Sequence, residues 1–376
     1  MKKVRILFAG DFCSRPSASC ISVSDDFKNM VRSCDLRVVN FEVPLKPEGS
    51  YSPQKVERLY QSDDVPQFLC DVGFNLFSIA NNHIFDWGAP GFIKTKTALG
   101  NACFGAGNYN EAYRVKEVGL DGLKIGFLAL TYAAYTGVFD DVVNHDGYGC
   151  AYINDLKVNH VILEAKKTVD YLFVLAHDGI EYCDVPMPET IARYRDFIDY
   201  GADGVIGTHP HCPQGWEVYK GRPIFYSLGN LFFNSKEDTS YRAWNRPHWY
   251  EGLCVILEIE NGIITYQTIN VRNKDNVEMM IDDAASREAH NNCLLSYFAD
   301  EEKYNKYLAN ILEQLNLQSI VDKTFHPNNL KSSAIMLCKC IGKKLIKKDF
   351  TDDFKLLMLL RNGTRLNALI RSLKGR

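Results

Sequence analysis

The sequence predicts an α/β protein with a helical C-terminal extension, and three observations predict it. Short apolar runs alternate with helix-like stretches from the start to about residue 230. Polar, chemically capable residues recur where those runs end. Beyond about residue 275 the chain reads as helix, with few breakers.

Along the chain, residues 4–9, 36–41, 76–80, 124–130, 171–176 and 204–207 read as strands buried on both faces, because their apolar runs are continuous rather than alternating. Residues 25–33, 65–72, 91–99, 154–168 and 189–200 read as amphipathic helices between them. The rhythm then changes. Residues 216–219, 223–227, 253–259 and 263–270 look like consecutive strands, the last two joined as a hairpin by Glu260-Asn261-Gly262. A second, partly antiparallel sheet region is therefore expected after the first. Residues 282–314, 332–348 and 352–361 read as helices, the last closed by Asn362-Gly363. The expected division is a domain over 1–275 and a helical, basic extension over 276–376.

Composition bounds the function. With 376 residues, 46% hydrophobic and 24% charged, the chain can bury a large core. A net charge of -3 excludes a strongly basic nucleic-acid binder. The balance is uneven: residues 331–376 hold twelve Lys/Arg against three Asp/Glu, a surplus of +9, which leaves -12 for the rest. Twelve scattered cysteines without a CxxC pair point to free thiols in a reducing compartment, mostly as small core residues. No apolar run reaches the ~18 residues that span a bilayer. The expected location is cytoplasmic, with peripheral membrane contact as an alternative.

The chemistry lies at the carboxyl ends of the predicted strands, where open α/β sheets bind ligands. The first strand ends at Asp11 and the second at Glu42, each of which alone could be an ordinary turn or loop acid. The third ends in Asn81-Asn82-His83, followed by Asp86. Two amides and an imidazole beyond a buried strand need partners. Asn82 can ligate a metal through its carbonyl oxygen. His83 can act as a general acid oriented by Asp86. The fourth delivers His177-Asp178-Gly179, then Glu181. The fifth delivers His209-Pro210-His211, two imidazoles one residue apart. Four of the nine histidines fall at strand ends in this series. Imidazole, carboxylate and carboxamide without clustered thiolates favour Mn, Fe, Zn, Mg or Co over a cysteine-rich structural site. One or two divalent ions are expected.

This ordered series resembles the CapA family of capsule and poly-γ-glutamate synthesis proteins, within the calcineurin-like metallophosphoesterase superfamily. The match rests on Gly10-Asp11, Asn40-Phe41-Glu42, Ala80-Asn81-Asn82-His83 with Asp86 and Gly88, and His177-x-Gly179-x-Glu181-Tyr182. It continues through Gly207-x-His209-Pro210-His211, Gln214, Glu217, Tyr219 and Tyr226-Ser227-Leu228-Gly229-Asn230, with Gly105-Ala106-Gly107-Asn108 as a glycine turn. It covers roughly residues 4–235, and not the helical tail.

The resemblance implies a four-layer α/β/β/α sandwich with Asp11, Glu42, Asn82, His177, His209 and His211 as metal ligands. It makes His83 the acid, supported by Asp86, and places Asn81, Glu181, Glu217 and Asn230 toward the substrate. It implies a metal-dependent phosphoesterase-type hydrolase, or less readily an amidase, in surface-polymer metabolism; the alternative is a non-catalytic polymer-binding or scaffold subunit. The implied partner is an anionic surface polymer or its phosphorylated precursor. The basic tail could touch a membrane surface or the synthesis complex, and no nucleic acid is expected. Three departures stand out. The superfamily's D-x-H opening is Asp11-Phe12-Cys13, its bridging Asp is Glu42, and the family's His-Trp-Gly is His177-Asp178-Gly179. CapA-like proteins in general share the first two.

Overall fold

The structure, a computed structural model, describes residues 3–48, 59–132, 138, 146–234, 246 and 248–314. The tail helices expected over 332–348 and 352–361, and with them the basic surplus of 331–376, lie outside the described residues.

Two sheets face each other. In the first, the parallel strands Val4–Ser14, Leu36–Phe41, Leu76–Ser78 and Cys103–Phe104 run side by side. Glu251–Glu260, Ile263–Lys274 and Glu278–Ile281 extend it antiparallel from the other edge of Val4–Ser14. The second sheet has the order Trp216–Tyr219, Arg222–Phe225, Gly204–Thr208, Tyr171–His177, Leu123–Thr131, Lys116–Leu120.

Alternation along the second sheet explains its continuous apolar runs. Phe127, Ala129, Phe173, Leu175 and Ile206 point into the core between the sheets. Leu128, Leu130, Leu172, Val174 and Val205 point the other way, onto Val158 and Ile162 of helix Leu156–Ala165 and Tyr194 and Phe197 of helix Pro188–Asp199. A strand covered on both faces has no polar face to reveal its period. Phe8 joins the sheets, with ring centroids 6.2 Å from Phe127 and 5.8 Å from Phe173. Phe27 and Val31 of helix Asp25–Arg32 and Leu69 of helix Val65–Val72 close the outer face of the first sheet. The result is the four-layer α/β/β/α sandwich.

The strands after residue 216 differ from the expectation of one later sheet. Trp216–Tyr219 and Arg222–Phe225 complete the second sheet, whereas Asn230–Asn234 and the hairpin return to the first. Local sequence encodes a hairpin but not the sheet it joins. The hairpin itself forms as expected: Glu260 pairs with Ile263 across Asn261 and Gly262, both at positive φ, the backbone that a two-residue turn with matching twist requires. Of the hairpin Lys116–Leu120 with Leu123–Thr131, the sequence shows only the second strand. The first strand alternates intermediate and exposed residues, so it carries no apolar run.

The helix expected over 282–314 is two, Ala285–Phe298 and Glu301–Gln314. Asp300 caps the second: its backbone carbonyl accepts from Tyr304 and its side chain from Lys303. Both helices pack through Leu294, Tyr297, Tyr304 and Leu308 on Ile180, Cys183, Val185 and Met187 of the loop after His177. All ten described cysteines are free, and six are buried. Among the described residues no helix is long and apolar enough to cross a membrane.

Candidate metal centre

The parallel strands of both sheets end at one edge, and the candidate ligands converge there. Two backbone features aim them. The ladders of Val4–Ser14 shift register around Asp11 against both its parallel neighbours, a bulge that re-aims a side chain. Gly10 is required at this point: a Cβ would lie 1.9 Å from the Gly229 carbonyl oxygen. His209 and His211 both have positive φ, 102° and 58°. Such backbone costs about 1–3 kcal/mol per residue and persists where the surroundings enforce it.

Asp11 and Glu42 are fully buried. His177 places Nδ1 3.8 Å from Asp11 Oδ1 and Nε2 3.8 Å from Glu42 Oε1. His211 places Nδ1 3.7 Å from Asp11 Oδ2 and Nε2 3.6 Å from Glu42 Oε1. His177 Nε2 also lies 2.8 Å from Asn82 Oδ1. Two groups of potential ligands result, Asp11–Glu42–His177 and Glu42–His209–His211, and they share Glu42.

These residues fit a divalent cation. Donor atoms around an ion with bonds of about 2.0–2.2 Å lie roughly 3–3.5 Å apart, close to the 3.6–3.8 Å separations here. Burial pushes the Asp11 carboxyl up, against the opposing pull of His211 and of hydrogen bonds from Asn40 and the His209 amide. Burial, then the neighbouring His211 and His83, holds His177 well below the usual imidazole range. A neutral imidazole is the ligand form, and a cation offsets the cost of a buried carboxylate.

His83 stands at the rim. Its Nδ1 lies 2.8 Å from Asp86 Oδ2 and its Nε2 4.0 Å from Glu42 Oε1. Its ring therefore has one edge on an orienting carboxylate and the other on the centre.

The expected substrate-facing residues divide. Asn230 belongs to the centre: its Oδ1 lies 2.9 Å from His211 Nδ1, while its Nδ2 donates to the Trp249 carbonyl. Glu181 reaches the rim, with Oε1 4.0 Å from His209 Nε2. Asn81 builds the turn instead, accepting from the His83 and Ile84 amides and donating to the Phe41 carbonyl. Glu217 is held by Arg195 Nε and Nη2 at 2.8 and 2.7 Å and by the Tyr226 hydroxyl. None of these partners is a residue of the centre. Asp178 accepts from Thr190.

Several contributors carry little signal of their own in the sequence. Asn40 donates to Asp11 Oδ1 at 2.7 Å and lies 3.2 Å from His177 Nδ1. Beyond its place in the Asn40-Phe41-Glu42 match, its signal is position: it stands two residues before Glu42, hence on the same side of an extended chain. Thr208 Oγ1 lies 3.0 Å from His177 Nδ1. Trp249 packs 5.2 Å from the His211 ring and has no local signal. Cys13, where the superfamily has a histidine, packs with Val43, Phe233 and Trp249. Burial, then Glu42, pushes its thiol well above the usual range, so it stays protonated.

The four-layer sandwich and its strand-end donor set define an α/β protein with a candidate divalent-metal centre. Residues 6–235 match the model of the bacterial capsule synthesis protein PGA_cap family, and the chain belongs to that family. It is 31% identical over 206 residues to the capsule biosynthesis protein CapA of Bacillus anthracis, covering 52% of this chain and 49% of that one. To the PGA biosynthesis protein CapA of Bacillus subtilis it is 30% identical over 209 residues, 54% of each. The chain thus spans about half the length of the curated relatives it matches. Among solved structures, a phosphatase from Mycoplasma pneumoniae aligns over 77% of this chain and 97% of its own, at 16% identity and a TM-score of 0.45.

Proposed function

We propose that the chain is a divalent-metal-dependent phosphoesterase-type hydrolase in the synthesis of capsule polysaccharide or poly-γ-glutamate. Its substrate is the anionic polymer or a phosphorylated precursor. The observation that carries this reading is Glu42, a buried carboxylate shared by two ligand groups, with His83 4.0 Å away on its own orienting carboxylate.

Asp11, Glu42, Asn82, His177, His209 and His211 would hold one or two ions, of Mn, Fe, Zn, Mg or Co. When bound, the metal activates water and neutralises phosphoryl charge. The remaining work falls to this chain's side chains. Asp86 accepts from His83 Nδ1 and fixes the ring. His83 Nε2 then carries the proton delivered to the leaving oxygen. Asn230 and Thr208 orient His211 and His177, and Asn40 holds Asp11. Glu181 at the rim meets the substrate.

Metal analysis of protein purified without chelators, joined to phosphomonoester and phosphodiester assays, tests this. The expected result is bound metal and Mn-supported turnover; no metal and no turnover with added Mn overturns it. One observation favours the second reading, a non-catalytic polymer-binding subunit: Cys13 is packed away as a neutral thiol where the superfamily supplies a ligand. That reading expects polymer binding with no turnover under any metal.

A further inference from the structure

We propose that Asp184, His248 and His290 form a second metal site, separate from the strand-end centre, for Zn2+ or a cation of similar preference. Bound there, the ion fastens the C-terminal helices to the loop that follows His177.

The three residues offer one ligand atom each, all within 4.8 Å of one another. They come from three places. Asp184 lies in the loop between His177 and helix Pro188–Asp199, His248 precedes strand Glu251–Glu260, and His290 lies on helix Ala285–Phe298. Helix Ala285–Phe298 lies outside the span matched by the family model.

Three observations point to a ligand. Asp184 is 5% exposed, and its Oδ1 is buried without a hydrogen-bond partner, its other oxygen accepting from the Tyr307 hydroxyl. An orphaned carboxylate oxygen in the interior is costly unless a cation meets it. His290 Nε2 is also buried without a partner, 3.7 Å from Asp184 Oδ2, beyond hydrogen-bond reach. The His248 and His290 rings stack, 4.0 Å apart at 16°, so one ring must turn for both nitrogens to meet a single ion. Finally, His248 Nδ1 is 2.6 Å from Glu251 Oε2. A carboxylate on one ring nitrogen fixes the tautomer and directs the other nitrogen's lone pair outward, as in zinc–histidine–carboxylate sites.

The surroundings agree. Glu251 also pairs with Arg287, so the nearby guanidinium charge is matched. His248 has a φ of 63°, a left-handed backbone that aims its ring. It also lines a cleft of about 550 Å3. Two imidazoles and one carboxylate leave a fourth position for water, a donor set suited to Zn2+. Tetrahedral bonds would draw the three donors to roughly 3.3 Å apart, pulling helix Ala285–Phe298 against the loop.

The test uses the full chain, with Zn2+ alone as probe. Zinc content after gel filtration is compared between wild type and His290→Gln. Amide exchange of residues 285–314 is followed with and without Zn2+. The variant is expected to hold one equivalent fewer, or to bind that equivalent ~10-fold more weakly. Zn2+ should slow exchange in the wild-type helices and not in the variant's. Should His290→Gln fail to fold, His248→Gln, at the more exposed of the two histidines, provides the same comparison. Zinc content and zinc affinity both unchanged overturn the site, and exchange unaffected by Zn2+ overturns the fastening. Both readouts are independent of turnover, so failure of the proposed hydrolase leaves them intact.

Discussion

Asp86 Oδ2 lies 2.8 Å from His83 Nδ1 and 2.9 Å from the Leu59 amide nitrogen, so one carboxylate oxygen ties the candidate acid to the backbone at Leu59. Asp86 is 2% exposed. The His83 ring therefore has little freedom to turn away from Glu42.

Replacing His83 tests that geometry directly. His83→Ala is expected to lower phosphoester turnover by about 10²–10⁴-fold while bound metal stays unchanged. Asp86→Asn should give a smaller loss, since the ring remains but its orientation and tautomer are less well defined. Metal content measured beside kcat checks both. A His83→Ala protein with full turnover rejects the acid role.

Metal affinity should depend on residues that do not ligate. Asn230→Ala removes the oxygen beside His211 Nδ1 and is expected to weaken metal binding about 10–100-fold. Titration of apo protein with Mn2+ reads this. Affinity equal to wild type would show that Asn230 does not orient His211.

Glu217 gives the opposite expectation. Its partners are Arg195 and Tyr226, so Glu217→Ala should reduce stability by about 1 kcal/mol and leave kcat unchanged. Thermal melts paired with initial rates separate the two. A large change in KM at unchanged stability would return Glu217 to the substrate.

The packing between the sheets sets the largest mutational cost. Phe8 is 1% exposed and meets Phe127 and Phe173 from the opposite sheet. Phe8→Ala is expected to cost about 3–5 kcal/mol. Denaturant unfolding measures it, and a cost below about 1 kcal/mol would mean the sheets repack.

Acid sensitivity should be traceable to Asp64. Burial alone would raise its carboxyl, but hydrogen bonds from Ser17, Ser62 and the Ala18 and Ser19 amides outweigh it and bring it down to about 2. A depressed carboxylate contributes stability above its unfolded value of about 3.9 and loses it as pH falls through the folded value. The loss therefore falls between about pH 4 and pH 2. Discounted for partial exposure, it amounts to about 1 kcal/mol. Asp64→Asn should flatten the stability profile in that window; an unchanged profile contradicts the assignment.

Much of this protein is legible from one dimension. The apolar runs place the inner strands to within a few residues, because their two-sided burial leaves its mark on every position. Asn261-Gly262 marks the hairpin, because few other residues tolerate its backbone. The series of strand-end residues picks out Asp11, Glu42, Asn82, His177, His209 and His211, since rigid parallel strands deliver their C-terminal loops to a common edge.

Other features depend on distances that the chain order does not hold. Whether a strand after residue 216 joins the first or second sheet is decided by pairing across long separations. Glu217 and Asn230 look alike as polar residues near late strands, yet one meets Arg195 and the other His211. Trp249 reaches the centre from a segment with no recognisable pattern. Asp184, His248 and His290 are separated by 64 and 42 positions, and only packing of the C-terminal helices on the 177–188 loop brings them within 4.8 Å. Sequence alone determined which residues could do chemistry here. Tertiary structure decided which of them meet, because ligation requires distances set by the packing of separate elements.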